Sequence, residues 1–256
     1  MKVIKIGGNV IDNPTALKEF IVSFSKIEGP KVLVHGGGKV ASKLAKDMGI
    51  EVKMVEGRRI TDDAMLDVVT MVYAGLVNKK VVAALQANGV NALGLSGADA
   101  NVLLADKRNH PTIDFGNVGD VKQASGETIL KFAEMGLVPV FNAITHDGKG
   151  QLLNTNADTI ASEVAKSLAK LTATELVYVF ELPGVMKDIK DASSVVETIT
   201  PEVYADLKSK GIVADGMIPK LDNSFEALNK GVKVVRIAST EYINNQNTKH
   251  TSLVLS

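Results

Sequence analysis

Lys5 stands on an apolar run, Val3-Ile4-Lys5-Ile6, that ends in Gly7-Gly8, and a second run, Val32-Leu33-Val34-His35, leads into Gly36-Gly37-Gly38. Backbone N–H groups freed of side chains form an anion-binding concavity, and a helix starting just behind adds the positive end of its dipole. Glycines also make ordinary tight turns. Two such turns, each closing an apolar run and one beside a lysine, point instead to a phosphate-handling enzyme.

Three further segments carry candidate chemistry. Gly57-Arg58-Arg59-Ile60-Thr61 sets two guanidinium groups ahead of a helix, either as a solvated pair or as a fork gripping a carboxylate. Leu153-Asn154-Thr155-Asn156-Ala157-Asp158 puts two amides and a carboxylate at a helix start, more than one cap requires. Asp215-Gly216-Met217-Ile218-Pro219-Lys220 is a turn with a lysine opening a helix, where its charge opposes the dipole unless an anion is bound nearby. His35 ends its strand and either packs, makes a local hydrogen bond or takes part in catalysis. The chain has no P-loop, no G-x-G-x-x-G opening a helix, no G-x-S-x-G elbow and no histidine pair at metal-ligand spacing. No protein metal site is therefore expected.

The elements that must position these residues alternate. Asn13-Pro14 reads as an N-cap and first helical turn, followed by Leu17, Phe20, Ile21, Phe24 and Ile27 at helical spacing. Val40, Leu44 and Met48 make a second stripe, and a longer helix is expected from about Thr61 to Asn88. Residues 92–95, 138–141, 176–180 and 233–237 read as short buried strands, and 157–170 as a helix. This alternation predicts an α/β fold, a mostly parallel sheet between two helical layers, with ligands at the carboxyl ends of its strands. The segment from Asp99 to Val121 mixes charge, proline and glycine, and is expected to form a hairpin or lid. A break near Leu171-Thr172 divides an N-terminal lobe, 1–172, from a C-terminal lobe, 173–256.

Composition narrows the classes. The 256 residues include 29 basic and 29 acidic ones, so no global field points to nucleic acid or a membrane surface. Cysteine is absent, which excludes disulfides, thiolate metal sites and cysteine nucleophiles. With 4% aromatic residues and no tryptophan, base-stacking platforms are disfavoured. No stretch is expected to approach the roughly 18 apolar residues of a membrane span. The chain enters a strand at once, so no signal peptide is expected, and the protein is read as cytoplasmic.

The order K-x-G-G, H-G-G-G, G-R-R-I-T, L-N-T-N-A-D and G-M-I-P-K resembles the acetylglutamate kinases of the amino acid kinase superfamily, from Val3 to the C-terminus. The resemblance implies the carbamate kinase-like fold and MgATP-dependent phosphorylation of the γ-carboxylate of N-acetyl-L-glutamate in arginine biosynthesis. It also implies roles. Lys5 and Lys220 would stabilise the transferring phosphoryl group, Lys220 also touching the nucleotide, with Asp158 holding both. Gly7, Gly8 and Gly36 would serve the phosphates, and Gly37 and Gly38 the substrate. Arg59 would pair with the α-carboxylate, Asn154 would bind the amino-acid moiety, and Gly184 would turn beside the nucleotide. The N-terminal lobe would bind the acylglutamate and dimerise, and the C-terminal lobe would bind ATP.

Two departures stand out. Val179-Phe180-Glu181-Leu182-Pro183-Gly184 replaces the usual Thr/Ser-Asp ahead of the glycine, and Lys39 follows Gly38. With Lys5, Arg58 and Arg59, Lys39 would make the acyl-amino-acid end basic enough to favour N-succinyl-L-glutamate. Other readings are another amino acid kinase of the same fold and a catalytically dead nucleotide-sensing module, the latter opposed by retention of Lys5, Lys220 and Asp158. Arginine-inhibited members carry an extra N-terminal helix. Its lack here, with surplus apolar positions at Met65, Val68, Val69, Met71 and Val72, leads to the expectation of an arginine-insensitive homodimer.

Overall fold

The computed structural model describes residues 1–55, 57–213 and 217–256; Asp215 and Gly216 of the last motif lie outside the described residues. Eight strands make the central sheet, in the order Thr198–Ile199, Thr251–Leu253, Val234–Ser239, Glu175–Phe180, Lys2–Ile6, Lys31–His35, Val138–Phe141 and Ala92–Leu95. The last six are mutually parallel, and Thr251–Leu253 runs antiparallel to Val234–Ser239. Val3, Ile4 and Ile6 and all of Val32-Leu33-Val34 are buried, as expected of parallel strands covered on both faces.

Helices Gly126–Glu134, Ala157–Ala169 and Met217–Asn229 form one covering layer; Pro14–Ser25, Asn78–Ala87 and Thr240–Asn244 form the other. Two of these starts follow the asparagines that cap them. Asn13 Oδ1 accepts from the N–H groups of Thr15 and Ala16 at 3.0 and 3.1 Å, with Pro14 in the first turn. Asn156 does the same for Asp158 and Thr159 at 2.8 and 3.2 Å.

The expected hairpin is present as Leu103–Lys107 paired with Gly119–Ala124. Together with Ile144–His146 and Leu152–Asn154 it forms a second, four-stranded sheet that the residue pattern did not reveal. Contrary to expectation, among the described residues one helical stretch, Asp63–Ala87, is long and apolar enough to cross a membrane by length and composition. Asp67, Lys79 and Lys80 interrupt its apolar residues, so its apolar character is spread along the helix and not gathered in one run. Here its inner side, Val68, Val69, Val72, Val81 and Leu85, packs into the core. Its middle, Met71–Val77, is π-helical, a local widening often found at functional sites.

Strand Lys2–Ile6 lies between Lys31–His35 and Glu175–Phe180, with Lys5 in register with Val34 and Tyr178. The two glycine turns and the Phe180-Glu181 corner therefore leave the sheet side by side at the carboxyl ends of three adjacent parallel strands, where open α/β sheets hold ligands.

Candidate active site

Lys5, Asp158 and Lys220 converge from three elements. Lys5 Nζ lies 2.6 Å from Asp158 Oδ1, and Lys220 Nζ lies 3.4 Å from Oδ2 of the same carboxylate. Each ammonium thus takes one oxygen, and the aspartate spaces two cations that would otherwise repel. Asp158 sits in the first turn of Ala157–Ala169, where the helix dipole also favours a negative charge. Burial pushes its carboxyl up, but the two ammonium groups prevail and hold it below the ordinary aspartate range. Burial lowers the Lys220 ammonium, an effect that Asp158 opposes and Lys5 reinforces.

Beneath both lysines lies the Phe180 ring, its centroid 3.5 Å from Lys220 Nζ and 5.2 Å from Lys5 Nζ. The negative face of an aromatic ring attracts a nearby ammonium, so Phe180 supports the pair without competing for an anionic ligand. The same ring limits residue 7, where a Cβ would stand 3.3 Å from Phe180 Cδ1 and from the Val179 carbonyl. At Gly8 a Cβ would meet only Asp12 Oδ2 at 3.9 Å, so the chain leaves space above that backbone. Gly7, Gly8 and Gly184 line one pocket with Lys5, Asp158 and Lys220. Gly184 is needed sterically, since a Cβ there would be 2.5 Å from Thr251 Oγ1.

A second pocket is lined by Gly36, Gly37, Gly38, Arg59 and Asn154. Gly36 therefore belongs with the second group and not with Gly7 and Gly8. Gly37 has φ of +156°, and a Cβ would stand 3.0 Å from the Tyr73 ring, so only glycine fits. Arg59 is buried at 8% exposure, its Nη2 donating to the Gly38 carbonyl at 2.9 Å and to Ser42 Oγ at 2.8 Å. Asn154 ends strand Leu152–Asn154, and its Nδ2 donates to Thr61 Oγ1 at 3.0 Å. A third cavity, lined by Gly8, Gly38, Lys39, Ser42 and Arg59, shares residues with both pockets.

A planar fork held this way suits a carboxylate. Arg59→Lys keeps the charge but loses the fork, so the KM of a carboxylate-bearing amino-acid substrate is expected to rise by about tenfold or more with the nucleotide KM little changed. Steady-state kinetics with each substrate varied in turn checks this; an equal loss for both would show that Arg59 supports the fold instead.

Reading the residues alone missed Tyr73, Ser42, Arg108 and Phe180. Tyr73 and Arg108 line the second pocket, Arg108 through the hairpin, where its guanidinium chelates Asp120. No local pattern marks them, because they come from a helix bulge and a hairpin that meet the site only in three dimensions. Lys39 lies outside the second pocket, its ammonium donating to Asn9 Oδ1 while Asn9 Nδ2 donates to Glu181 Oε2 at 2.7 Å. Among the described residues no three His, Asp or Glu side chains converge as a metal site.

Residues 1–239 match the model of the amino acid kinase family. The chain is 52% identical to the acetylglutamate kinase of Cytophaga hutchinsonii over 98% of its own length and 97% of that protein's. It is likewise 52% identical to the acetylglutamate kinase of Phocaeicola vulgatus, over 95% of each. Its fold matches that of a carbamate kinase from Giardia lamblia bound to AMP-PNP, with a TM-score of 0.72 at 15% identity over 100% of this chain and 98% of that one.

Proposed function

Since the chain belongs to the amino acid kinase family and within it to the acetylglutamate kinases, we propose that it transfers the γ-phosphoryl group of ATP to the γ-carboxylate of N-acetyl-L-glutamate, a step of arginine biosynthesis. The observation that carries this reading is the Lys5–Asp158–Lys220 cluster beside the Gly7-Gly8 turn. The substrate carboxylate attacks the γ-phosphorus, and the bond to the bridging oxygen breaks to release ADP. Charge spreads over the phosphoryl oxygens as this happens. Two ammonium groups already oriented by one carboxylate meet that charge without reorganising. The nucleophile is ionised at neutral pH, so no general base is needed, and Asp158, engaged by two cations, is not one. The 1–172 lobe holds the acyl-amino acid through Arg59, Asn154, Gly37 and Gly38, and the 173–256 lobe holds ATP beside Gly184 and Lys220. The magnesium ion fits a site without a protein ligand set: it would be held by nucleotide phosphates and water, neutralising phosphate charge.

A second reading is N-succinyl-L-glutamate as substrate. It is favoured by Arg58 and Arg59 lining one pocket, two cations for a ligand with a further carboxylate, with the Asp120-paired Arg108 also in its wall. Turnover of both acylglutamates with MgATP, followed by ADP release, tests the two together. Preference for the acetyl compound is the expected result, and no turnover of either would overturn the kinase assignment.

We place the enzyme in the cytoplasm as a homodimer joined through the outer side of Asp63–Ala87. Met71 and Leu76 are 49% and 45% exposed there, on a helix whose inner side already serves the core. Light scattering is expected to give twice the chain mass, with activity unaffected by millimolar L-arginine; a monomer, a hexamer or strong inhibition would overturn this arrangement.

A further inference from the structure

Beneath the Gly36–Gly38 turn lies a fully buried polar pair, His35 and Asn78, each 0% exposed and neither in contact with either pocket. Asn78 Nδ2 lies 3.0 Å from His35 Nε2 and 2.9 Å from the Val140 carbonyl oxygen. The Val140 carbonyl can only accept, so the amide nitrogen must face it, and the second N–H of that nitrogen points to the imidazole. His35 Nε2 then carries the lone pair and Nδ1 the proton, which it donates to the Gly36 carbonyl at 2.8 Å. The fold makes room for this amide: a Cβ at Gly94 would stand 2.1 Å from Asn78 Oδ1.

The chain Val140–Asn78–His35–Gly36 ends on a peptide group of the site. In a trans peptide the C=O and the following N–H point in opposite directions. With the Gly36 carbonyl turned down to His35, the Gly37 N–H is turned away from it, and among the described residues no group accepts a hydrogen bond from that N–H. We propose that His35 and Asn78 are positioning residues, locking the Gly36–Gly37 peptide so that the Gly37 N–H is presented to the charge developing on the substrate during phosphoryl transfer. Burial lowers His35 to about 4, with the Gly36 hydrogen bond opposing and Lys79 assisting, so the ring stays neutral at physiological pH and the lock persists. The inference rests on the kinase reading for its catalytic consequence, not for its geometry.

Two substitutions at one position separate positioning from packing. An asparagine amide nitrogen sits where His Nδ1 does and can still donate to the Gly36 carbonyl; a glutamine amide nitrogen falls where Nε2 does and cannot. His35→Gln is expected to lower kcat by about ten- to a hundredfold with the acylglutamate KM within about threefold, whereas His35→Asn should restore most of kcat. Equal losses in the two variants, or a His35→Gln enzyme with unchanged kcat, would overturn the proposal while leaving the kinase reading intact. Independently of turnover, the imidazole 15N spectrum of the wild-type protein is expected to show His35 protonated at Nδ1; protonation at Nε2 would overturn the lock even if the protein phosphorylated no acylglutamate.

Discussion

Replacing Lys5 or Lys220 by alanine is expected to lower kcat by about two to four orders of magnitude, the scale of losing a preorganised charge contact to a transition state. Both ammonium groups are held by one carboxylate, Lys5 at 2.6 Å and Lys220 at 3.4 Å from Asp158. The charge they meet grows as the phosphoryl group detaches, so KM values should move far less than kcat. The two losses should also be less than additive in the double variant, because both lysines act on the same group. Rapid-quench single-turnover kinetics checks the result. Near-normal turnover in either variant would remove that lysine from the reaction.

Asp158→Asn is the second large effect. The substitution is nearly isosteric, but it leaves two ammonium groups above the Phe180 ring with no anion between them. Mutual repulsion then moves both from line with the phosphoryl group, and kcat is expected to fall by about two orders of magnitude or more in a protein that still folds. Stability should change with it in a defined direction. The folded-state Asp158 carboxyl lies below the ordinary aspartate value, so its contribution is fully present above the unfolded pKa and is lost as pH falls through the folded one. Thermal melts from about pH 7 to about pH 3 should show a steeper acid-side loss for the wild type than for Asp158→Asn. An active Asp158→Asn enzyme, or identical pH profiles for the two proteins, would refute the bridging role.

The parallel strands were legible in the residues because a strand buried on both faces must be apolar at nearly every position, as Val32-Leu33-Val34 is. Helix starts were legible at Asn13 and Asn156 because capping is a local hydrogen-bond requirement met within three residues. Lys5, the glycine turns and Asp158 followed from the same local logic, at strand ends and a helix start, and the family resemblance supplied their shared purpose. The sequence alone thus determined that the core is a largely parallel α/β sheet with glycine turns at its strand ends and a lysine beside one of them.

Their mutual geometry was decided only by the fold. The division of one carboxylate between two lysines depends on Asp158 and Lys220, 62 positions apart by number, meeting across separate helices. The departure at Phe180 looked like a weakened nucleotide motif, yet the ring lies under both ammonium groups. Lys39 looked like part of the acyl-binding end, yet it turns to Asn9, while Arg108 reaches the pocket from a hairpin. His35 read as a strand end until Asn78, given room by Gly94, met it beneath the glycine turn. Periodicity and capping are set by neighbours within a turn or a strand. Side-chain partnership is set by which elements pack together, and that depends on the whole core.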